Sequence, residues 1–155
     1  MKFAPPEIRR AELSDAPAVA ELWLQSFRTA LPSVRLTHTD EQVRQWIRDV
    51  VIEQHETWLI CLGDEIAGMM TLAGGCIDQL YLAPSRRGQG LGDRLIAHAK
   101  TRRPDGLRLW TFQVNAAAVA FYRRHGFREI ARTDGAHNDE REPDIQLEWT
   151  PSPTT

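Results

Sequence analysis

The sequence predicts an α/β or α+β domain in which helices cover a mixed β-sheet. Apolar residues repeat at helical spacing in the first third of the chain. Strand-like runs joined by tight turns follow, and two strand–helix units come after them. The 155 residues are the length of one domain, which we expect to extend over residues 1–155.

The first half of the chain predicts one strand, two helices and three further strands. A strand over residues 8–11 precedes a helix that Ser14 or Asp15 can cap and that ends at Leu31-Pro32. A second helix begins at residues 39–41, and its apolar residues recur at i, i+3, i+4, i+7 and i+8. The strand-like runs cover residues 57–62, 65–72 and 76–83, with turns at residues 63–64 and 74–75.

The second half predicts two helices and three strands. A glycine-rich loop over residues 84–92 opens a helix that closes near Arg103-Pro104. A strand over residues 107–114 leads into an alanine-rich helix over residues 115–125, and Gly126 is a natural residue to end it. The last two strands cover residues 127–133 and 145–149. The order β-α-α-β-β-β-α-β-α-β-β combines hairpins with β-α units, which favours a mixed sheet.

The composition excludes several classes of protein. Hydrophobic residues make up 42% of the chain and charged residues 26%, which is ordinary for a folded domain and argues against disorder and coiled coils. The 19 Lys and Arg against 21 Asp and Glu argue against a dedicated nucleic-acid-binding protein. We expect a cytoplasmic protein without a membrane partner, because a signal peptide and a long apolar run are absent from the sequence. The head at residues 4–6 should be extended, and the tail from residue 150 should fray.

The two cysteines are too few to form a disulfide framework or a zinc site alone. Cys61 and Cys76 lie in apolar strand-like runs, so both are predicted to be small core residues. The polar segment 137–142 matches no metal-ligand spacing, and a solvated loop without a metal is expected there.

The segment Arg86–Gly92, with the sequence RRGQGLG, follows a strand and opens a helix. A helix N-terminus has unpaired amides and the positive end of the helix dipole, and glycines let the backbone approach an oxyanion closely. A phosphate or pyrophosphate site is therefore predicted, although a turn that only needs positive φ would have a similar sequence. The P-loop motif is absent, and the GxGxG spacing differs from the Rossmann motif.

A second motif extends from Asn115 to Phe127, NAAAVAFYRRHGF. Asn115 is at a strand-to-helix junction, where it can cap the helix, and Tyr122 lies two turns later on the same helical face. A phenol is a proton donor at neutral pH because its reference pKa is about 10. A cap and a tyrosine at the edge of the core explain the same residues without any chemistry.

Together the two motifs resemble the GNAT superfamily of acyl-CoA-dependent N-acyltransferases. Arg87-x-x-Gly90-x-Gly92 is followed by Asn-x-x-Ala-x-x-Phe-Tyr-x-x-x-Gly-Phe, and residues 77–84 are similar to the fourth strand of that family. The opening residues 8–11 with Asp15 are also similar, so the resemblance covers essentially the whole chain. It implies a mixed, mostly antiparallel sheet that splays between its fourth and fifth strands, with acetyl-CoA in the gap.

The resemblance also implies the residues that bind the donor. Amides around the glycine loop would bind the pyrophosphate, and the exposed backbone of Leu80, Tyr81 and Leu82 would pair with the pantetheine arm. Asn115 would hold that arm, and Tyr122 would lie beside the sulfur. The loop residues expected at the pyrophosphate are Arg87, Gly88, Gln89, Gly90, Leu91 and Gly92.

Our hypothesis for the reaction is direct attack of an amine on acetyl-CoA, with Tyr122 as general acid to the CoA thiolate. Asp78 is two residues before Leu80, so strand alternation predicts that the two side chains share a face, and Asp78 is a candidate base. An aspartate that only orders a strand bulge is the alternative. His38 is a further candidate base, although it could equally lie on a solvated loop.

The acceptor is predicted to be a primary amine of a small molecule. Trp23 and Phe27 lie four residues apart on one helix face and could wall its pocket, or could simply be core residues. Acidic residues near the C-terminus could attract a cationic amine, or could form an ordinary charged loop. These residues are Asp134, Asp139, Glu140, Glu142 and Asp144.

Other functions stay open at this point. A protein N-terminal or lysine acetyltransferase is the alternative enzyme, and a non-catalytic acyl-CoA-binding module is the alternative from another class. Nucleic-acid binding through arginines 86, 87, 102 and 103 is a more distant hypothesis. The sequence leaves the acyl-chain preference and the choice between monomer and homodimer open.

Overall fold

A seven-stranded β-sheet, in which one pair of neighbouring strands is parallel, forms the centre of the described structure. A computed structural model describes residues 5–152. The strands are β1 (Glu7–Arg10), β2 (Glu56–Leu62), β3 (Glu65–Ala73), β4 (Cys76–Leu82), β5 (Leu107–Phe112), β6 (Arg128–Thr133) and β7 (Asp144–Trp149). They lie in the order β1-β2-β3-β4-β5-β7-β6, and β4–β5 is parallel whereas the other recorded pairs are antiparallel.

Within residues 5–152, four α-helices connect or cover these strands. They are α1 (Ala16–Ala30), α2 (Asp40–Trp46), α3 (Leu91–Arg102) and α4 (Ala116–Arg124). Thr39 caps α2, with its hydroxyl accepting from the amide of Gln42 at 3.1 Å. Gly126 follows α4 with a φ of 87°, as predicted for a residue that ends a helix.

The predicted elements are all present in the predicted order, with ends that shift by no more than about two residues. Two local predictions are wrong. The second helix is not uniformly α-helical, because α2 ends at Trp46 and continues as a π-helical segment over Ile47–Ile52. The side chain of Asp15 does not cap α1, because it accepts from the guanidinium of Arg9 at 2.8 and 2.9 Å and from the amide of Glu12.

The sheet has a hydrophobic core on each face. One core joins α3 and Tyr122 to residues of β2, β3, β5 and β7. The other joins α1, α2 and the π-helical segment to Leu59, Cys61 and Met69. Alternation along β2 and β3 divides their side chains between the two cores, which explains why their sequences are almost continuously apolar.

The two cysteines differ in their surroundings. Cys61 is buried in the core beside α1, as predicted, whereas Cys76 is only partly buried at the start of β4. The prediction of a core residue is therefore wrong for Cys76, because it is the first residue of β4 and lies at the end of that strand. None of the described helices is long and apolar enough to cross a membrane. Residue 4 of the expected extended head and residues 153–155 of the expected frayed tail lie outside the described residues.

A carboxylate at the start of β2 ties α3 to the sheet. Glu56 accepts hydrogen bonds from Arg102 at 2.7 Å, Trp58 at 2.8 Å and Arg103 at 3.2 Å. The hydrogen bond from Arg102 is the main cause that lowers the pKa of Glu56 to about 2. Because the folded-state pKa is below the unfolded value, these bonds stabilise the fold above the unfolded pKa, and that stabilisation is lost as the pH falls towards about 2.

We expect Glu56→Gln to lower the free energy of unfolding at pH 7 by about 1–2 kcal/mol, because charge-assisted hydrogen bonds are lost. The difference from the wild type should shrink as the pH falls towards about 2, where Glu56 itself becomes protonated. Urea unfolding at several pH values measures both effects. Glu65→Gln, which removes the exposed pair with Arg86, is the control and should have a smaller effect. An equal loss at all pH values would mean that packing, and not charge, is responsible.

Candidate active site

The two parallel strands separate just after they meet. The recorded pairing of β4 with β5 is the single position Cys76–Arg108, next to a hydrogen bond from the Arg108 amide to Gly75. Beyond it, β4 stays paired with β3 and β5 stays paired with β7. A V-shaped gap therefore opens between the strands towards the glycine loop and the N-terminus of α4.

The glycine loop has the conformation that its sequence predicts. Gly88 and Gly90 have φ values of 76° and 80°, in the left-handed region that glycine favours. Gly92 differs from these two glycines, because it is closely packed: a Cβ there would lie 3.1 Å from the ring of Phe121. Among the described residues, no backbone amide of residues 88–92 donates to a protein acceptor. The loop therefore presents free N–H groups at a helix N-terminus, which is the arrangement that binds anions.

The two arginines of this loop have different environments. Arg86 forms a bidentate pair with Glu65, at 2.6 and 2.9 Å. The guanidinium of Arg87 instead lies 3.4 Å from the carbonyl of Ser26, and the described residues include no carboxylate partner for it. Arg87 is thus the arginine that is available to an anion at the loop.

Most of the arginines proposed for nucleic-acid binding are already paired. Besides Arg86, both Arg102 and Arg103 contact Glu56. Three of the four arginines therefore already bind a carboxylate, and nucleic-acid binding gains no support from the structure.

The end of β4 places its side chains alternately. Leu80 and Leu82 pack against the core that contains α3, whereas Tyr81 packs against the core that contains α1. The hydroxyl of Ser26 donates to the carbonyl of Leu82 at 2.6 Å, which fastens α1 to the end of this strand. In the loop, Leu91 is buried and Gln89 is exposed.

Asn115 is the N-cap of α4 and also lines the cavity described below, whereas Tyr122 lies within the helix. The side-chain oxygen of Asn115 accepts from the amide of Ala118 at 3.2 Å, so the predicted capping role is confirmed. The residue Tyr122 is 7% exposed, and its ring packs edge-on against Phe121 and Phe127. These contacts fix the orientation of the phenol.

A cavity of about 620 Å³ opens on the other side of β4. Its walls come from α1, α2, β4, β5, the start of β7, the N-cap of α4 and the loops that connect α1 to α2 and β6 to β7. Trp23 and Phe27 line this cavity and are also buried in the core, so the two interpretations of these residues are compatible. Their rings stack with centroids 5.1 Å apart.

Asp78 lines the cavity as well, but not for the predicted reason. The register of β4 against β3 shifts here: Thr71 pairs with Gln79 and Leu72 pairs with Ile77, so Asp78 is an unpaired bulge residue. The bulge breaks the alternation, and the predicted shared face with Leu80 is wrong. Asp78 instead faces the cavity with Gln79 and Tyr81.

The cavity wall is acidic. Of the five acidic residues predicted near the acceptor, Asp139, Glu140 and Asp144 line the cavity, and Asp134 and Glu142 do not. No Lys or Arg is among its described lining residues. His38 lies at this wall with its Nε2 atom 3.4 Å from Asp139, so it joins the two loops at the cavity mouth.

The two tyrosines of the site both stay protonated at neutral pH. Burial raises the pKa of Tyr81 well above its usual value, and the nearby charges of Glu140 and Asp78 raise it further. Burial also raises the pKa of Tyr122, and the neighbouring Tyr81 adds to the shift. Both phenols can therefore donate, and neither is a base.

Several lining residues escaped the sequence-based prediction. Trp46 belongs to the apolar stripe of α2, and Phe112 ends an apolar strand, so both looked like ordinary core residues. Trp110 is 45% exposed, at an outward position of β5, and an aromatic residue at such a position is the signal that could have found it. Gln79 had no signal, because its orientation depends on the bulge. Within residues 5–152, no cluster of three or more His, Cys, Asp or Glu residues is suited to hold a metal ion.

Comparisons with known proteins identify the family. The sequence model of the GNAT acetyltransferase domain matches residues 53–129, which include β4, the glycine loop and α4. Peptidyl-lysine N-acetyltransferase YiaC from Escherichia coli K12 is 27% identical over 144 residues, covering 92% of this chain and 95% of that protein.

Solved structures have the same fold. The apo form of YjaB from Escherichia coli superposes with a TM-score of 0.79 at 23% identity, covering 96% of this chain and all of the other. PaiA N-acetyltransferase from Thermoplasma acidophilum, solved with coenzyme A, has a TM-score of 0.70 at 19% identity, covering 96% of this chain and 100% of the other. The resemblance noted in the sequence is therefore confirmed, and this chain belongs to the GNAT family of acyl-CoA-dependent N-acetyltransferases.

Proposed function

We propose that the protein transfers the acetyl group of acetyl-CoA to the ε-amine of a lysine side chain in a peptide or protein. The observation that carries this proposal is the cavity beside β4, which combines aromatic walls with four carboxylates and has no Lys or Arg in its described lining. A lysine side chain has an apolar stem and a cationic head, and the two kinds of wall match these two parts. The peptidyl-lysine acceptor in the name of the YiaC relative favours the same acceptor class.

A primary amine of a small molecule, the acceptor predicted from the sequence, is the second candidate. The cavity volume of about 620 Å³ is within the usual range of small-molecule pockets, and a polyamine would meet the same acidic wall. The name of the relative favours the protein acceptor over this one.

The donor would lie in the gap between β4 and β5. The free amides of residues 88–92 and the guanidinium of Arg87 would bind its pyrophosphate, and the backbone of residues 80–82 would pair with the pantetheine arm. Coenzyme A in the PaiA structure supports this role for a chain of the same fold. Asn115, with its oxygen engaged in the cap, would offer its amide N–H to the arm.

The reaction would proceed by direct attack. The ammonium group of the acceptor gives a proton to Asp78, directly or through water, and the neutral amine forms a C–N bond to the acetyl carbon. Backbone amides near residues 80–82 stabilise the developing oxyanion. The C–S bond then breaks, and Tyr122 gives its proton to the departing thiolate. The nitrogen loses its second proton in the same collapse, and this proton returns through water to the Tyr122 phenolate, so that the products are a neutral amide and the CoA thiol.

A panel of three acceptors tests the proposed class. We expect a peptide with a blocked N-terminus and one central lysine to release thiol from acetyl-CoA and to gain an acetyl group on that lysine. A lysine-free peptide with a free N-terminus and spermidine are the matched alternatives. Mass spectrometry identifies the product. Acetylation of spermidine alone would favour the small-molecule acceptor, and acetyl-CoA binding with no product from any acceptor would favour a non-catalytic module.

We expect Tyr122→Phe to lower kcat by about 10²-fold or more, because the general acid for the leaving thiolate is lost. The affinity for acetyl-CoA should stay within about threefold of the wild type, since the ring and its packing are kept. Stopped assays and calorimetric titration measure the two quantities. Tyr81→Phe, which removes the other phenol, is the matched control. An unchanged kcat in Tyr122→Phe would rule out the acid role.

The acidic wall should act on the acceptor by electrostatic attraction. Replacing Asp139 by Asn and Glu140 by Gln together should raise the acceptor KM several-fold at low salt, with kcat little changed. The effect should decrease at high salt, because ions screen exposed charges. The control changes Asp134 to Asn and Glu142 to Gln, which removes the same charge from the same loop outside the cavity wall. An equal rise in KM in both double variants would show that the effect comes from net charge alone.

A further inference from the structure

Two hydrogen bonds connect α1 to the bulge of β4. The indole N–H of Trp23 donates to the side-chain oxygen of Gln79 at 2.9 Å. The side-chain N–H of Gln79 donates to one carboxylate oxygen of Asp78 at 3.2 Å. The chain of contacts therefore runs from a core tryptophan to the acidic residue at the acceptor cavity.

The chemistry of the three side chains determines which group donates and which accepts in each of the two hydrogen bonds. An indole N–H can only donate, and an ionised carboxylate can only accept. A glutamine amide has one group of each kind, so its oxygen must face Trp23 and its N–H group must face Asp78. A glutamate at position 79 would keep the bond from Trp23 but would place a second negative charge beside Asp78.

Trp23 is itself a fixed anchor. It is 6% exposed, and its ring stacks on Phe27 and meets the edges of Trp46 and Tyr81, with centroids 5.6 and 5.7 Å from its own. Ile77 and Gln79 pair with consecutive residues of β3, because Asp78 bulges out between them. This shift in register turns the side chain of Gln79 towards Trp23. Asp78, an exposed side chain, thereby gains a hydrogen bond from a residue that the core holds in place.

We propose that Gln79 is a positioning residue for the acetyl transfer: held by Trp23, it orients the carboxylate of Asp78 towards the acceptor amine. The inference rests on the proposed role of Asp78 as the proton acceptor. Within the described residues, the second carboxylate oxygen of Asp78 has no hydrogen-bond partner, so it is available to the amine or to a bridging water. The ordering of one oxygen by Gln79 reduces the conformational freedom that Asp78 must lose when the amine binds.

Other titratable groups share the cavity with Asp78 and would contribute to any pH profile. Tyr81 lies on the same strand, and His38 belongs to the loop before α2. Asp139 and Glu140 belong to the loop between β6 and β7, and Asp144 begins β7. These groups are unchanged in the variants below, so differences between profiles report on positions 78 and 79.

The test is a double-mutant cycle with the lysine peptide as acceptor. We expect Gln79→Met to lower kcat/KM by about tenfold and to have almost no further effect in an Asp78→Asn background, because both changes act through the same carboxylate. Gln79→Glu should move the acidic limb of the kcat/KM profile to higher pH, since a like charge disfavours the ionised form of Asp78. Each variant should bind acetyl-CoA as the wild type does, which checks folding. Additive losses with an unmoved pH profile would overturn the inference.

A spectroscopic readout separates this inference from the proposed function. In the ¹⁵N-labelled protein, the indole N–H resonance of Trp23, assigned with Trp23→Phe, should shift with pH as Asp78 titrates, and Asp78→Asn should remove that shift. If the shift is present but Asp78→Asn keeps full activity, the contacts are real and the proposed proton acceptor is wrong. If Asp78→Asn is inactive and the resonance does not respond to it, Asp78 keeps its role and the positioning by Gln79 is wrong.

Discussion

Backbone pairing between β4 and β5 stops at Cys76 and Arg108, and the arrangement of the whole site depends on that separation. Each strand satisfies its other edge with an antiparallel neighbour, β3 for one and β7 for the other, so the sheet stays intact while the gap opens. The gap exposes backbone groups that would otherwise be paired inside a sheet, and a buried backbone group without a partner is costly. An open edge in the middle of a sheet is therefore a feature that a ligand can complete.

The strand β4 then divides the site into two chemical environments. The glycine loop at the N-terminus of α3 presents free amides, and Arg87, which has no carboxylate partner among the described residues, belongs to the same loop. On the side of α1 and α2, the cavity wall carries carboxylates and aromatic rings. The first environment suits a donor with several phosphate charges, and the second suits a cationic amine. A phosphate-bearing donor and a cationic amine can therefore approach β4 from opposite sides, each next to protein groups of the opposite charge, without binding to each other.

The aromatic cluster around Trp23 links the core to the cavity. Its rings close the hydrophobic core beside α1 and also form the cavity wall, so the same residues pack the core and would contact an acceptor under the proposed function. The indole N–H of Trp23 meets the one polar partner that the bulge brings to it. Substitutions in this cluster should therefore change stability and acceptor binding together, which is usual where a pocket is carved into a core.

Much of the architecture follows from local sequence signals. The spacing of apolar residues predicted the helices, and the turns at Gly63 and Gly74 predicted the hairpins. The glycine loop and the motif that begins at Asn115 together indicated the family. These signals are local because hydrogen bonds within a helix and the left-handed φ of a turn glycine depend on neighbouring residues. The π-helical segment over Ile47–Ile52 was missed because the same apolar spacing serves both helical forms.

The sequence by itself determined the order of the elements, the loop that presents free amides and the cap at Asn115. Only the tertiary structure decided that Asp78 faces the cavity beside β4 and that Gln79 lies between Asp78 and Trp23. It also brought His38 and Asp139, which are far apart in the sequence, to one cavity mouth. The reason is physical: a bulge is defined by the register between two strands, and a cavity wall is built from elements that pack together only after the chain has folded.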